Sequence, residues 1–267
     1  MTASSRRSRL ALRFVALGYL AVLLAVPVAV VFYRTFEHGV GAVWDSITTP
    51  AAISAFWLTV EVALIAVPLN AIFGVFAAIT LVRGRFPGKR LFDALIDLPF
   101  AVSPIVVGLA LLLVFGANGW FGDFLVENGI QVIFSLPGIV LATIFVSLPF
   151  VAREVAPVLR ELGDEQEQAA ATLGANGWQT FRRITLPAIR WGLIYGVVLA
   201  TARAIGEFGA VSVVSGKLAG QTQTLTLHVE DRFQAFDLTG AYAASVVLAL
   251  LALATLGLML LLQRRSS

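Results

Sequence analysis

The chain has 267 residues, of which 58% are hydrophobic and 13% are charged, and its formal net charge is +3. This composition excludes an ordinary soluble domain and indicates an integral membrane protein. The absence of cysteine excludes disulfides, a thiolate nucleophile and cysteine-based metal sites. The pI near 9.7 does not predict nucleic-acid binding, because the basic residues form no groove with stacking aromatic residues.

Apolar runs of about 20 residues, the length that a helix needs to cross hydrocarbon, recur along the chain. Six spans are predicted, at residues 10–32, 55–82, 95–115, 136–155, 191–214 and 241–262. The first run is too long for the apolar region of a signal peptide, so we interpret it as an uncleaved membrane helix. Span two should bend at Pro68, whose ring removes a backbone hydrogen bond.

Lys and Arg residues are distributed unequally between the two sides of this six-span arrangement. Fifteen of the nineteen fall on one side, three on the other (Arg34, Lys217 and Arg232), and Arg203 lies within span five. By the positive-inside rule, both termini are cytoplasmic. The predicted fold class is therefore an all-α integral membrane protein with six transmembrane helices.

Between spans four and five lies a polar and basic stretch, Gln168–Pro187. Together with the capping residues that precede it from Asp164, we call it the elbow. Two capping boxes are predicted to start short helices there: Asp164 with Glu167, and Asn176 with Gln179. Gly174 can end the first helix in a left-handed turn. Pro187 should prevent the second helix from running on into span five.

The surface of the elbow suggests a contact with another protein. The first helix has a smooth side formed by Ala169, Ala170 and Ala171. On the second helix, apolar residues recur at helical spacing and form a ridge. The ridge residues are Trp178, Phe181 and Ile184, and Arg182 and Arg183 lie beside them. The pattern predicts either a projecting surface that docks on another protein or an ordered connector between two membrane helices.

The elbow resembles the cytoplasmic loop of ABC-importer permeases, whose pattern is Glu-Ala-Ala, three residues, Gly, nine residues, Ile-x-Leu-Pro. The matching residues are Gln168, Ala169, Ala170, Gly174, Ile184, Leu186 and Pro187. Gln168 stands where the family usually has Glu, and Glu167 could supply that charged contact instead. The resemblance implies that these residues form an ATPase-coupling loop.

The same resemblance implies a type I ABC importer permease (MetI-like) architecture. Residues 1–54 would contain a cytoplasmic N-terminus, the first transmembrane helix and an outer segment. Residues 55–262 would form the permease domain, with its coupling loop at about 158–190, and residues 263–267 a cytoplasmic tail.

Two charges lie within span five. Arg203 and Glu207 are four residues apart on one helical face, and either alone at bilayer depth would cost several kcal/mol on some scales. They form either a static ion pair or, with hydroxyls such as that of Ser212, the lining of an anion path. Gly192 and Gly196 on the same span predict close helix packing.

The outer loop, Ser215–Thr239, contains alternating threonines at positions 222, 224 and 226, followed by an amphipathic run, His228–Phe236. This loop is expected either to lie on the bilayer surface or to contact an extracytoplasmic binding protein.

No pattern in the chain predicts catalysis. Gly84–Lys89 (GRFPGK) has one residue too few between its glycines for a phosphate-binding loop, and Arg90 follows where Ser or Thr is needed. His38 and His228 lie in different predicted outer loops, which argues against a histidine metal centre. We therefore expect a transport subunit with no metal, no cofactor of its own and no ATPase site.

Arg190–Gly216 is similar to the sulfate and thiosulfate branch of these permeases, of the CysW type, and Ala202–Ala210 is also similar to molybdate permeases. The resemblance implies an importer in the bacterial cytoplasmic membrane. This chain would pair with a CysT-type permease as a heterodimer, on two ATPase subunits that bind ATP and Mg, and would receive oxyanion from a sulfate-binding protein outside. A molybdate or tungstate permease and an ATPase-independent secondary transporter are the alternatives.

Overall fold

The computed structural model describes the backbone of residues 6–264 and the side chains of residues 12–257, and all regular structure in this part of the chain is helical. Residues 265–267 of the predicted cytoplasmic tail lie outside it. The helices are α1 Arg6–Leu20, α2 Val26–Phe36, α3 Gly39–Ile47, α4 Pro50–Arg83, α5 Lys89–Ala101, α6 Pro104–Phe115, α7 Gly122–Glu127, α8 Leu136–Leu162, α9 Glu165–Thr172, α10 Gly177–Thr180, α11 Leu186–Ile205, α12 Gly209–Val214, α13 Leu225–Gln234 and α14 Leu238–Arg264. Two π-helical turns, Ala21–Ala25 and Phe181–Thr185, join α1 to α2 and α10 to α11.

Five continuous helical stretches of the described chain are long and apolar enough to cross a membrane. They are Leu12–Phe36, Pro50–Arg83, Leu136–Leu162, Gly177–Ile205 and Leu238–Gly257. A sixth span is present if the bent pair α5 and α6 counts as one crossing. The predicted all-α membrane fold is confirmed, and the predicted spans one, two, four and six are continuous helices.

The sixth is span three, which was predicted as one span over residues 95–115 and is instead broken into α5 and α6. The chain bends by 111° between α5 and α6. Val102 and Ser103 between them are extended, with ψ of 135° and 134°. Pro104 disfavours the helical conformation in the residue before it and has no amide to continue the hydrogen-bond ladder. The span therefore breaks directly before this proline.

Span two begins earlier than predicted, at Pro50, because the Thr49 hydroxyl caps α4 by accepting the Ala52 amide at 3.2 Å. The helix continues through Pro68 to Arg83. Span four also exceeds its predicted range, since α8 continues seven residues beyond Val155 to Leu162.

The centre of the bundle is formed by α4, α8 and α11, which meet around the fully buried Val151. A Cβ atom on Gly74 would lie 2.6 Å from the Val151 Cβ, and one on Gly196 would lie 2.8 Å from the Val151 Cα. A Cβ on Gly192 would lie 3.0 Å from the Glu154 carbonyl oxygen. The predicted close packing at Gly192 and Gly196 is therefore confirmed, and glycine is what allows these backbones to approach.

Span five is also interrupted, so the prediction of one helix over residues 191–214 is wrong. Helix α11 ends at Ile205, and α12 begins at Gly209. The break packs against the break in span three, since a Cβ on Gly209 would lie 2.9 Å from the Pro104 Cβ. A Cβ on Gly108 would likewise meet the Ala210 carbonyl oxygen at 2.7 Å. The two broken spans therefore contact each other at their breaks.

The segment that leads into α13 and the first turn of this helix are buried in the bundle, whereas the end of the helix, with Phe233, is exposed. Thr222, Thr224, Leu225 and His228 are all buried. The Leu225 amide donates to the buried Thr59 hydroxyl of α4 at 2.8 Å. Because threonine hydroxyls supply partners for buried backbone groups, this polar segment can enter the bundle without unpaired amides.

Candidate functional site

The elbow begins with α9, which ends in the predicted left-handed turn. Gly174 has φ of +85°. Its amide donates to the Ala171 carbonyl at 3.0 Å, and the Ala175 amide donates to the Ala170 carbonyl at 3.0 Å. These two bonds form a Schellman motif, which requires a left-handed residue at the position of Gly174.

One of the two predicted capping boxes is present. The Asn176 side chain accepts the Gln179 amide at 2.9 Å, and the Gln179 side chain accepts the Asn176 amide at 2.9 Å. At Asp164 the prediction is wrong, since its side chain makes no capping hydrogen bond. Glu167, the expected partner in that box, binds elsewhere.

Glu167 binds within the chain. One carboxylate oxygen accepts from the Arg83 guanidinium at 3.0 Å, and the other accepts from the Thr185 hydroxyl at 2.8 Å. Its side chain is 23% exposed. Glu167 is therefore not free to provide the outward contact that its position beside Gln168 suggested.

The prediction that Pro187 stops the second helix is wrong, because the helix is continuous from Gly177 to Ile205. The turn before the proline is π-helical, and the Leu186 amide donates to the Phe181 carbonyl five residues back. In an α-helix the proline ring would meet the carbonyl four residues back, and the wider π turn leaves room for it. The elbow thus leads directly into span five.

Two large apolar side chains project from the elbow. Leu173 is 88% exposed and Trp178 is 66% exposed. Phe181 stacks on Trp178, with ring centroids 5.6 Å apart, and is itself half-buried, as is Ile184. Only Trp178 of the predicted ridge is therefore fully presented, and Leu173 was missed, although a leucine beside a glycine turn in a polar segment is a signal that sequence reading could use.

The smooth alanine side of α9 is only partly available, because Ala170 is buried at 9% exposure. Of the other residues in the motif, Gln168, Ala169, Gly174 and Pro187 are exposed, and Leu186 is half-buried. An exposed apolar pair on a polar loop, with Arg182 and Arg183 exposed nearby, is suited to contact with a protein partner.

Arg203 and Glu207 form the predicted ion pair, with 2.6 Å between Nη1 and Oε2. They do not share a helical face, however, since Glu207 lies in the break after α11. The Glu207 side chain is 2% exposed, whereas that of Arg203 is 31% exposed. The carboxylate is therefore enclosed and the guanidinium partly open.

The Glu207 carboxylate also organises the break itself. Its Oε1 accepts the Ala210 amide at 2.8 Å in the first turn of α12. Its backbone carbonyl accepts the Thr226 hydroxyl of α13 at 2.8 Å. Ser212, the third predicted path residue, donates its hydroxyl hydrogen to the Gly209 carbonyl at 2.8 Å. The break, α12 and α13 are thus joined by hydrogen bonds.

His228, two residues beyond Thr226, is 2% exposed, with Nδ1 lying 3.1 Å from the Gln223 Oε1. Burial lowers the pKa of His228 below its ordinary value of 6.5, and Arg232 lowers it further, while Asp231 and Asp237 oppose the shift.

The lowered pKa of His228 predicts a stability that depends on pH. Below about pH 6.5 the unfolded chain binds a proton that the folded chain does not, so stability present at higher pH is lost as the pH falls. The melting temperature in detergent should therefore decrease from about pH 8 to about pH 5, and less so for His228→Gln. His38→Gln, at an exposed histidine, is the control. An equal pH dependence in the wild type and His228→Gln would contradict the prediction.

Across the part of the chain that the structure describes, no group of three or more His, Asp or Glu side chains is arranged to hold a metal ion.

Residues 70–267 match the family described as "Binding-protein-dependent transport system inner membrane component". The chain is 53% identical over 251 residues to the sulfate transport system permease protein CysW of Synechocystis sp., covering 94% of this chain and 91% of that protein. It is 42% identical to the sulfate transport system permease protein CysT of Salmonella typhimurium, covering 86% and 84%. A crystal structure of a bacterial ABC transporter that imports the polysaccharide alginate shares the fold, with a TM-score of 0.81 at 16% identity over 96% of this chain and 94% of that one.

Proposed function

Because the chain belongs to the family of binding-protein-dependent transport system inner membrane components, we propose that it is the membrane-spanning permease subunit of an ATP-driven sulfate importer. The assignment of sulfate as the substrate rests on the 53% identity to a sulfate permease over 94% of this chain. The chain is a transport component and not an ATPase.

The complete importer contains partners on both sides of the membrane. Two ATPase subunits bind ATP and Mg²⁺ in the cytoplasm, and a sulfate-binding protein delivers the anion from outside. A CysT-type chain completes the permease as a heterodimer in the bacterial cytoplasmic membrane, with both termini of this chain in the cytoplasm. The unequal distribution of Lys and Arg supports this orientation.

The elbow is the contact with the ATPase. Leu173 and Trp178 project from a polar loop, and exposed apolar anchors of this kind typically fill pockets on a partner. ATP binding closes the ATPase pair and moves the elbow, so that the bundle opens outward, and hydrolysis returns it. The elbow drives this cycle only because it binds one ATPase conformation better than the other.

The sulfate path passes the break in span five. Arg203 presents part of its guanidinium, while the Glu207 carboxylate that would repel a dianion is almost fully enclosed. Arg203 therefore contacts sulfate, and Glu207 holds Arg203 and the first turn of α12 in place. The hydroxyl of Ser212 and backbone groups at the break complete the lining.

The test is uptake of radioactive sulfate by a bacterium that lacks its own sulfate permeases and expresses this chain with its CysT-type partner, ATPase and binding protein. Uptake should require all four components and should be reduced little by equimolar molybdate. Trp178→Asp should reduce both uptake and recovery of the ATPase with the purified permease.

Trp120→Asp is the matched control and should leave ATPase recovery unchanged. Trp120 is 87% exposed and lies between spans three and four, on the predicted outer side of the membrane. Absence of sulfate uptake by the complete system would refute the assignment of sulfate as the substrate. Full ATPase recovery with Trp178→Asp would refute the role given to the elbow.

A further inference from the structure

A cluster of three side chains, which we call the clasp, joins the elbow to the membrane helices. It consists of Arg83, Glu167 and Thr185. The Arg83 Nε donates to Glu167 at 3.0 Å, and Thr185 donates to the same carboxylate at 2.8 Å. Both charged side chains are about one-fifth exposed, at 22% and 23%, so water screens this pair less than it screens a surface pair.

The Arg83 guanidinium makes two further hydrogen bonds. Its Nη1 donates to the Leu159 carbonyl at 3.1 Å, and its Nη2 donates to the Gly163 carbonyl. These carbonyls belong to the last turn of α8 and to the residue that follows it, where helical carbonyls have no partner within the helix. A planar guanidinium can bind a carboxylate and two carbonyls at once, whereas a lysine ammonium is a single point charge.

Four segments therefore meet at the clasp. Arg83 is the last residue of α4, the two carbonyls end α8, Glu167 lies on α9, and Thr185 is in the π turn that leads into α11. These segments are distant in sequence, since Arg83 and Glu167 are 84 residues apart. Helices α4, α8 and α11 are also the three that form the centre of the bundle.

Apolar packing does little to attach α9 to the bundle. Of the eight residues Glu165–Thr172, only Ala170 is buried. An alanine removes little apolar surface from water, so the position of α9 depends on its chain connections and on the clasp.

We propose that Arg83 is a positioning residue that fixes the elbow to the ends of α4 and α8, so that a displacement of the elbow moves both helices. This inference rests on the proposed function, because it assigns to the clasp the step between ATPase contact and helix movement. Without the clasp, the ATPase can pull α9 while α4 and α8 stay in place.

The test compares Arg83→Gln, Arg83→Lys and the matched control Arg85→Gln in the complete importer reconstituted in liposomes. Arg85 is exposed and makes no hydrogen bond or ion pair with residues 12–257. The readout is the amount of sulfate imported per ATP hydrolysed. Arg83→Gln should retain the ATPase subunits and their hydrolysis but lower this ratio at least about fivefold, the lower end of typical coupling between sites.

Arg83→Lys should recover part of the ratio, because it keeps the charge facing Glu167 but loses bonds to the α8 carbonyls. A normal ratio for Arg83→Gln would overturn the proposal. So would a loss of assembled importer with an unchanged ratio in what remains, since the clasp would then only stabilise the fold.

A second measurement does not depend on sulfate transport. Limited trypsin cleavage after the exposed Arg182 and Arg183 should be faster in the purified Arg83→Gln chain than in the wild type or Arg85→Gln. Equal cleavage rates would overturn the role proposed for the clasp, even in a functional importer. Faster cleavage together with an absence of sulfate uptake by the wild type would refute the proposed function and leave the attachment role intact.

Discussion

Gly174→Val is expected to reduce sulfate uptake by roughly five- to thirtyfold while the chain remains inserted in the membrane. Gly174 has φ of +85°, a conformation that a β-branched residue rarely adopts. The space around it is open, since a Cβ there would meet no atom within 4 Å. The left-handed conformation costs an L-residue about 1–2 kcal/mol, which is the source of the expected range.

This cost would be relieved by moving the turn between α9 and α10, which carries Leu173 and Trp178. The elbow would then present its apolar anchors in a different arrangement, and ATP hydrolysis would continue without matching uptake. The measurement is uptake per ATP hydrolysed, alongside the amount of chain in the membrane fraction.

Gly177→Val is a close control. Gly177 is also in open space, but its φ lies outside the left-handed range and it begins the helix α10. Both variants add the same side chain to the same loop, and only the backbone conformation differs. Equal effects of the two substitutions would show that bulk, and not the left-handed turn, controls the elbow.

Arg203→Met is expected to destabilise the chain by roughly 3–5 kcal/mol, because it leaves the enclosed Glu207 carboxylate without its cation. The double variant Arg203→Met with Glu207→Gln should recover much of that stability, since the glutamine oxygen can still accept the Ala210 amide. Thermal unfolding in detergent measures both effects.

Sulfate uptake distinguishes the proposed contact of Arg203 with the anion from a purely structural role of the ion pair. If Arg203 contacts the anion, uptake should remain lost in the double variant even though stability returns. Recovery of uptake together with stability would show that the pair only holds the break in span five, and would remove Arg203 from the path. Glu207→Gln alone, which leaves the guanidinium unpaired but partly exposed, should have the smaller effect on stability.

Sequence reasoning succeeded for two features of the elbow whose physical cause lies within a few neighbouring residues, although the helix stop expected at Pro187, another local effect, is absent. The left-handed turn at Gly174 and the capping box at Asn176 are determined by local backbone geometry and hydrogen bonds, and both are present. The long apolar helices follow from the requirement that backbone groups in hydrocarbon bond within their own segment.

Failures occurred where a residue had a choice of partners. Glu167 is suitably placed for a local capping box with Asp164, yet it binds Arg83, which lies 84 residues earlier in the chain. Span three looks like one apolar run, but the conformational restriction before Pro104 breaks it, and the resulting bend packs against the break in span five. Neither the chosen partner nor the fit of the two breaks is visible in a local pattern.

By itself, then, the sequence determined a membrane protein with about six spans, the left-handed turn at Gly174 and the capping box at Asn176, and it indicated that Arg203 and Glu207 can pair. Only the tertiary structure decided which face of α9 is buried, that Leu173 projects beside Trp178, that α13 enters the bundle, and that Arg83 attaches the elbow to α4 and α8. The first group depends on hydrophobicity and on bonds between near neighbours, whereas the second depends on which distant surfaces pack together.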